Sequence, residues 1–230
     1  MRELVWNPKQ NCFAVVAGDS RVIVFKDDYS KPHRIFDLKD KPRVTDLSWS
    51  GDGERLAIGT NNRAVRIANV ATGAISTSRF HAHCRIVAWT DGEVLSGDIA
   101  RIELDHGSKR DTFLQGSVEQ YGRLNRLFSD AEGVTTSVWE NGRIRRSNLQ
   151  GELVRSDCST SIRDVAIHAP SNQLVLITGE RTVEFYDMTS LQPKILFVLI
   201  GANDGAWFTP SGQLIKSSCD LAEHLLAQRW

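Results

Sequence analysis

Short runs of alternating apolar and polar residues, separated by turns rich in Gly, Asp and Asn, occupy most of this chain of 230 residues. The stretch from Val44 reads VTDLSWSGDGERLAIG, which is an apolar alternation, a polar turn and a second apolar run. Such alternation predicts a half-buried β-strand, and two such runs across a short turn predict a hairpin. Long stretches with a helical period are absent until the last dozen or so residues. The pattern therefore predicts an all-β protein.

The pattern repeats along the chain. A shift of 118 residues superposes six positions of similar character, namely Val44, Asp46, Leu47, Trp49, Leu56 and Ile58 on Ile162, Asp164, Val165, Ile167, Leu174 and Leu176. A shift of 43 residues likewise carries Leu4, Trp6 and Ala14 onto Leu47, Trp49 and Ala57. A fixed period of this length indicates a repeat architecture.

Each unit carries one bulky anchor residue at the same point of the pattern, and the six anchors are Trp6, Trp49, Trp89, Phe128, Ile167 and Phe208. Their separations are 43, 40, 39, 39 and 41 residues. The predicted strands of unit two are Val44–Ser50, Arg55–Gly59, Ala64–Val70 and Ala74–Arg79. Those of unit five are Ile162–His168, Gln173–Thr178, Thr182–Asp187 and Lys194–Ile200. Four strands in about forty residues make one blade of a β-propeller.

The repeat resembles that of the WD-repeat (WD40-like) β-propeller family, in a degenerate form and over essentially the whole chain. The Trp-Asp pair that ends the third strand in that family is replaced in four units, by Phe25-Lys26, Ala68-Asn69, Ser147-Asn148 and Tyr186-Asp187. His81 and His83 are the nearest candidates for the Gly-His pair of the family. The family's network of His, Ser or Thr, Asp and Trp side chains is therefore incomplete in every unit.

We expect a single β-propeller over residues 1–230, built of four-stranded antiparallel blades, with five complete blades and a partial sixth. The units span about 1–40, 41–80, 81–119, 120–158 and 159–200, followed by the partial unit 201–230. From Ser218 onward, SCDLAEHLLAQRW favours a short helix capped by Ser218, with a third strand or an irregular tail as the alternative.

Closure of the ring is the open question in this interpretation. Many WD-repeat rings close when the N-terminal segment supplies the outer strand of the last blade, but Met1 already holds the position of Val44 in unit two. An unfilled blade edge exposes unpaired backbone groups and invites strand addition. We therefore expect a protein partner, a larger complex subunit, to complete or cap the seam between blades one and six.

The tryptophans divide into two groups. Trp6, Trp49 and Trp89 are repeat anchors, which predicts that they lie in the blade core. Trp139 precedes the turn signal Glu140-Asn141-Gly142, so we expect it to be partly exposed. Trp207 and Trp230 flank the irregular last unit and are candidate partner contacts, with local packing as the alternative.

Blade four is rich in arginine, with Arg123, Arg126, Arg143, Arg145 and Arg146. Alternation along a strand places Arg143 and Arg145 on one face and Arg146 on the other. These residues predict either a basic patch for an acidic partner or a phosphate backbone, or ordinary solvated charge. The candidate partner contacts are therefore Arg123, Arg126, Trp139, Arg143, Arg145, Arg146, Trp207 and Trp230.

The sequence predicts no catalytic, cofactor or metal site. His81 and His83 would face one side of a strand and Cys84 the other, so one strand cannot supply three metal ligands. No GxSxG, Walker or GxGxxG motif is present. Asp46 and Asp164 would line the channel, but their matched positions mark them as part of the repeat.

Composition excludes further classes of function. The 28 basic and 28 acidic side chains give a formal net charge of zero, which provides no overall attraction to nucleic acid or anionic lipid. Cys12, Cys84, Cys158 and Cys219 are far apart and favour free thiols in a reducing compartment. With no signal peptide or apolar run of membrane-spanning length, we expect a cytoplasmic location.

The favoured hypothesis is a non-catalytic protein-interaction scaffold or adaptor subunit of a multi-protein complex, which recognises partners through propeller loops and the incomplete seam. The resemblance implies the same, since WD-repeat proteins mostly scaffold complexes. One alternative is an enzyme or a small-ligand or metal-binding propeller with a site in the central channel. A weaker alternative is nucleic-acid binding through blade four.

Overall fold

The computed structural model describes residues 4–27, 29–79, 84–90, 93–97, 101–105, 110–115, 123–129, 134–148, 151–158, 160–168, 171–199 and 204–218. In these ranges 22 strands form five sheets, and no α-helix is present. The strands follow one another along the chain within each sheet, so each sheet is a meander of hairpins.

The first three sheets each contain four strands. Sheet one comprises β1 (Leu4–Trp6), β2 (Cys12–Ala17), β3 (Arg21–Lys26) and β4 (Pro32–Asp37). Sheet two comprises β5 (Val44–Trp49), β6 (Arg55–Thr60), β7 (Ala64–Asn69) and β8 (Ile75–Arg79). Sheet three comprises β9 (Ile86–Thr90), β10 (Glu93–Gly97), β11 (Arg101–Asp105) and β12 (Arg110–Gln115).

The last two sheets differ in size. Sheet four comprises β13 (Leu124–Ser129), β14 (Thr135–Trp139), β15 (Arg143–Asn148) and β16 (Gly151–Asp157). Sheet five comprises β17 (Ile162–His168), β18 (Gln173–Thr178), β19 (Thr182–Asp187), β20 (Pro193–Leu199), β21 (Gly205–Phe208) and β22 (Leu214–Ser217). The expected all-β architecture of antiparallel four-stranded units is confirmed.

The strands predicted for units two and five are confirmed to within about one residue at each end. Three of the four strands in unit five have the predicted bounds. The 118-residue repeat is also confirmed in the pairing, because Ser48 pairs with Ala57 in sheet two and Ala166 pairs with Val175 in sheet five. Both sheets carry an irregularity after the first residue of their first strand, at Val44 and at Ile162.

The sixth unit differs from a separate partial blade. Its two described strands, β21 and β22, continue sheet five from the outer edge of β20, where Phe197 pairs with Trp207 and Val198 with Ala206. The physical reason is that an outer strand presents a row of unpaired backbone groups, and apolar cross-strand pairs favour filling it. The tail proposed as a helix, residues 219–230, lies outside the described residues.

The chain divides into two compact units. The first contains residues Met1–Ser137 and Arg146–Leu153, and the second contains Val138–Arg145 and Val154–Trp230. The expectation of a single domain over residues 1–230 stays a prediction.

Sheets one and two share a core in the first unit. We call the forward face of a sheet the one that packs on the next sheet along the chain, and the rear face the opposite one. The forward face of sheet one carries Cys12, Ala14, Val16, Val22 and Val24. It packs on the rear face of sheet two, which carries Leu47, Trp49, Leu56, Ile58 and Ala68. The forward face of sheet two, with Ala57 and Val65, packs in turn on Val87 and Trp89 of sheet three.

Each of these two interfaces contains one buried tryptophan that donates a hydrogen bond across it. Trp49 is 7% exposed, and its indole N–H donates a 3.1 Å hydrogen bond to the carbonyl of Val5 in the preceding sheet. Trp89 is also 7% exposed and donates a 2.9 Å bond to the carbonyl of Ser48. Val5 and Ser48 hold equivalent positions, since each directly precedes the anchor tryptophan of its own sheet. The predicted core position of Trp49 and Trp89 is confirmed.

Trp6 is the exception. It holds the same position in sheet one, and its strand has the same register, with Trp6 opposite Phe13 as Trp49 is opposite Leu56. Its side chain is nevertheless 60% exposed. The prediction that Trp6 lies in the blade core is therefore wrong, because most of its side chain is exposed to solvent, whereas side chains of sheet one cover Trp49.

This difference predicts different costs for one substitution. Replacing Trp49 with alanine removes a buried indole and its hydrogen bond, and we expect the free energy of unfolding to fall by about 3–5 kcal/mol. Trp6→Ala removes a largely exposed ring, and we expect a loss below about 1.5 kcal/mol. Urea unfolding followed by circular dichroism measures both, and equal losses would contradict the assignment of the two faces.

Candidate interaction surfaces

The rear face of sheet one is an aromatic surface. The Trp6 ring lies 5.2 Å from Phe13 and 6.2 Å from Tyr29, and Phe13 lies 5.2 Å from Phe25. Leu4 and Ile35, on the flanking strands, are about half exposed. Contiguous exposed apolar side chains of this kind mark interaction sites more often than isolated ones do.

A second apolar surface lies on one face of sheet five. We call it the forward face of sheet five, because the repeat aligns it with the forward face of sheet two. The repeat aligns Ala57, Val65 and Ile67 of sheet two with Val175, Val183 and Phe185, all three of which are half-buried. Ile177, at the end of β18, is 45% exposed. Trp207 extends this face from β21, with its ring 4.6 Å from Phe197 and 5.6 Å from Phe185. Trp207 is thus half-buried in a local aromatic cluster and still reaches the surface.

Trp139 contradicts its expected exposure. It is 1% exposed and ends strand β14, although the predicted turn does follow it. The amide of Gly142 donates to the carbonyl of Trp139 at 3.1 Å, and Gly142 adopts a φ of 90°. A Cβ at Gly142 would lie 2.5 Å from the carbonyl oxygen of Cys158. The turn packs against the following segment, so the side chain before it is enclosed and not available to a partner.

The arginines of blade four do not form one exposed patch. Arg145 and Arg146 are buried, contrary to the expectation of a basic surface. Arg145 Nη1 lies 3.0 Å from Asp157 and donates to the carbonyl of Ser156 at 3.2 Å. Arg143, which is half-buried, approaches the same carboxylate at 3.9 Å, so the two arginines on one strand face share one acid.

The remaining arginines of the set lie on or before β13. Arg123 is exposed, while Arg126 is half-buried and lies 3.9 Å from Asp46. Asp46 is buried and accepts the backbone N–H of Val87 in the next sheet at 2.9 Å. Its repeat equivalent, Asp164, is exposed and accepts the amide of Val165. Asp46 therefore joins two sheets, in keeping with its assignment to the repeat.

A chain of hydrogen bonds in the second unit occupies the place of the family's side-chain network. Tyr186 stands where the family has Trp, and its hydroxyl donates to Glu184 at 2.8 Å and lies 3.0 Å from the Cys158 thiol. Thr182 donates to Glu184 at 3.4 Å and lies 2.6 Å from Thr178. The sequence gives no signal for this network, because Tyr186 replaces the family's Trp and its partners Glu184 and Cys158 belong to no motif of the family.

Sheet two has a hydrogen-bond network at the equivalent positions, in which a guanidinium stands in place of the carboxylate. Arg66 and Thr60 are the repeat equivalents of Glu184 and Thr178, and Asp40 is the equivalent of Cys158. Buried Arg66 donates to Thr60 at 3.3 Å and to Asp40 at 3.5 Å. The positions keep their hydrogen-bonding role while the side chains change.

Burial controls the acid–base behaviour of the Cys158–Tyr186 pair. Desolvation is the main cause that raises the pKa of the Cys158 thiol to about 11, and nearby Glu184 and Asp157 add to it. Burial also raises the pKa of Tyr186 above its usual range. Both groups therefore stay protonated and neutral near neutral pH.

A pocket of about 300 Å³ opens between the turns of sheets one and two. Its polar lining includes Lys26, His33, Glu54 and Asn69, with Cys12 among the remaining residues. Burial raises the pKa of the Cys12 thiol, which therefore stays protonated at neutral pH. The mixed charges of the lining select no class of ligand.

The remaining predictions concern the histidines and cysteines of the sequence and Trp230. His81, His83 and Trp230 lie outside the described residues, whereas Cys84 is buried and its carbonyl accepts the Thr45 hydroxyl. Cys12, Cys84 and Cys158 form no disulfide. In the described part of the chain no helix has the length and apolar character needed to span a membrane.

Comparison with known proteins identifies the architecture. Residues 3–94 match the family described as the anaphase-promoting complex subunit 4 WD40 domain. The β-propeller domain of Myceliophteria thermophila Cps50 (Swd1) is similar, with a TM-score of 0.70 and 14% identity over 93% of this chain and 84% of that chain. No curated protein matches the chain by sequence.

Two further solved structures share the fold. The WD40 repeats of RRP9 superpose with a TM-score of 0.69 and 11% identity, over 93% of this chain and 79% of that chain. A chain of the Mitotic Checkpoint Complex gives a TM-score of 0.67 and 16% identity, over 93% and 76%. The resemblance drawn from the repeats and the expected propeller class are both confirmed.

The raised pKa of Cys158 predicts slow, pH-dependent alkylation. In a variant that retains Cys158 as its sole cysteine, we expect iodoacetamide to react slowly at pH 8 and faster as the pH approaches 11, because the thiolate is the nucleophile. Mass spectrometry of the labelled peptide measures the rate. Urea-unfolded protein is the control, and a folded-state profile that coincides with the unfolded one would contradict the burial of the thiol.

Proposed function

We propose that this WD40-like β-propeller, whose repeats are degenerate, is a non-catalytic protein-interaction scaffold or adaptor subunit of a multi-protein complex. The observation that carries the proposal is the exposed rear face of sheet one, where Trp6 is 60% exposed although its equivalents Trp49 and Trp89 are 7% exposed. A second protein surface that covers this face would bury the same kind of side chain that the molecule buries elsewhere.

The energetic argument follows from the residue types. Large aromatic side chains at the centre of an interface contribute most of the binding energy. The Trp6 cluster adds Phe13 and Phe25, which are half-buried and held by contact with one another. Little conformational entropy is lost when a partner docks on rings that are already packed.

The turns offer a second set of contacts on a rigid frame. The β6–β7 turn exposes Asn61, Asn62 and Arg63, with Arg63 at a φ of 60°. The Asn61 side chain accepts the amide of Arg43 at 3.0 Å, and Thr60 donates to Asn62 at 2.7 Å. Positioned loops on a packed sheet are the usual carriers of recognition.

The comparisons support a role in assembly. One matching family is named for a subunit of the anaphase-promoting complex, and one similar structure is of the Mitotic Checkpoint Complex. The identities are low, so these likenesses contribute the fold, and the partner of the present chain is a separate question. The burial of Arg145 and Arg146 gives no support to nucleic-acid binding through blade four.

The scaffold proposal predicts a stable heteromeric complex that depends on the rear face of sheet one. We expect the chain, purified from cells that naturally make it, to carry another protein at fixed stoichiometry through size-exclusion chromatography. Trp6→Asp places a charge on the face and should remove that protein, while Ile75→Asp, at a 40% exposed site in sheet two, should retain it.

Quantitative mass spectrometry of the eluted peak measures the stoichiometry. Both variants must first show the wild-type circular dichroism spectrum, so that loss of the partner is not loss of folding. A wild-type peak that contains this chain and no other protein would overturn the scaffold proposal.

A further inference from the structure

Three arginines occupy the same place in three successive sheets. Arg43, Arg85 and Arg123 each directly precede the first strand of their sheet, which is β5, β9 and β13 respectively. All three are exposed, and all three belong to the first compact unit. We call these three residues the arginine row.

The first strands of these sheets are joined close to the arginine row. Asp46 in β5 accepts the backbone N–H of Val87 in β9 at 2.9 Å, and its carboxylate lies 3.9 Å from Arg126 in β13. Ser48 and Trp89 are joined two residues further along both strands, so β5 and β9 run in the same direction. Each residue at the Asp46 junction lies two or three positions after the arginine that precedes its strand. The arginine row therefore lies at one end of three neighbouring strands.

The backbone that carries the row is fixed by hydrogen bonds. The Thr45 hydroxyl donates to the carbonyl of Cys84, which joins the chain next to Arg43 to the chain next to Arg85. The amide of Arg85 donates to the carbonyl of Gly97 at 3.1 Å. The positions from which the guanidinium groups extend are thus set before a ligand binds, and little backbone entropy is lost on binding.

The β6–β7 turn adds a fourth arginine beside the row. The Asn61 side chain accepts the amide of Arg43 at 3.0 Å, and the amide of Asn61 donates to the carbonyl of Arg43 at 3.0 Å. Arg63, two residues further along the same turn, is exposed. The turn therefore increases the positive charge at the start of β5.

The acids around the row are engaged with other groups. Asp40 pairs with buried Arg66 at 3.5 Å, and Asp46 lies against Arg126, whereas Asp19 is exposed in the adjoining β2–β3 turn. Within the described part of the chain, none of the three guanidinium groups of the row forms an ion pair or a side-chain hydrogen bond. These strand ends therefore carry an excess of accessible positive charge.

We propose that the arginine row binds an acidic segment of a partner protein, rich in Glu or Asp. A guanidinium group presents a rigid fork of N–H donors that matches the two oxygens of a carboxylate. The row uses residues other than those of the aromatic rear face of sheet one. The inference therefore goes beyond the proposed function and does not depend on it.

An acidic protein segment fits the row better than a nucleic acid does. The formal net charge of zero provides no overall attraction to a polyanion. Proteins that bind single strands stack the bases on aromatic rings, but the anchors Trp49, Trp89 and Phe128 lie at or next to the far ends of these strands. Three separate guanidinium groups match separate carboxylates on an extended chain.

The spacing of the sheets sets the design of a probe. Packed sheets are about 10 Å apart, and an extended chain covers that distance in roughly three residues. The probe is therefore a fluorescein-labelled peptide with three Glu residues separated by pairs of neutral residues, and its control carries Gln at the same three positions. Fluorescence anisotropy at low ionic strength measures binding of both peptides to the full chain.

We expect the Glu peptide to bind at least about tenfold tighter than the Gln peptide, and its affinity to fall as salt is added. Arg85→Glu and Arg123→Glu should each weaken binding at least about threefold, and the double variant at least about tenfold. Arg85→Lys keeps the charge and should retain most of the affinity. Arg155→Glu is the matched control, since it makes the same change at an exposed arginine of β16 and should bind like the wild-type chain.

Circular dichroism confirms that each variant is folded, and Arg123→Gln replaces Arg123→Glu if that variant does not fold. Four results would overturn the inference: equal binding of the Glu and Gln peptides, wild-type affinity in the double variant, an equal loss in Arg155→Glu, and tighter binding of a single-stranded oligonucleotide than of the Glu peptide. Trp6→Asp should bind the Glu peptide like the wild-type chain, so the aromatic face and the arginine row are tested separately.

Discussion

The hydrogen bond from an anchor tryptophan to a backbone carbonyl of the preceding sheet is the contact on which the first unit depends. A four-stranded sheet whose strands are apolar on both faces cannot be stable alone in water, because only one face can turn inward. Trp49 and Trp89 solve this by covering the sheet before them and satisfying the indole N–H inside the interface. The stability of each sheet therefore depends on its neighbours.

The need to bury both faces of a sheet also bears on sheets one and five, which each carry exposed apolar side chains. Trp6 belongs to the same repeat as Trp49, yet its side chain is 60% exposed, whereas Trp49 is buried against sheet one. Sheet five contains two further strands, β21 and β22, and Trp207 on β21 packs on Phe197 and Phe185. Its forward face stays partly open at Ile177.

The sequence predicts the strands well because their bounds are set locally, by turns such as Gly179–Arg181 between β18 and β19. It predicts exposure less well. Trp6 and Trp49 have the same local pattern, so their different burial depends on a neighbouring sheet that no local pattern reports. Trp139 precedes a genuine turn, but the packing of Cys158 against Gly142 encloses it. The strands of the sixth unit keep the period of the repeat, since β21 ends at the anchor Phe208, but the sequence does not report that β21 pairs with the edge strand β20 of sheet five.

The degenerate Trp-Asp motif is explained by the separate roles of the apolar faces and of the side-chain network. The apolar faces and the anchor tryptophans hold the sheets together, so the side-chain network beside them must only remain satisfied. One sheet satisfies it with Arg66, Thr60 and Asp40, and another with Glu184, Tyr186 and Cys158. A buried network tolerates exchange of charge and residue type when every member keeps a partner. The hydrogen-bonding role of these positions is therefore kept in both sheets although the family's residues are not.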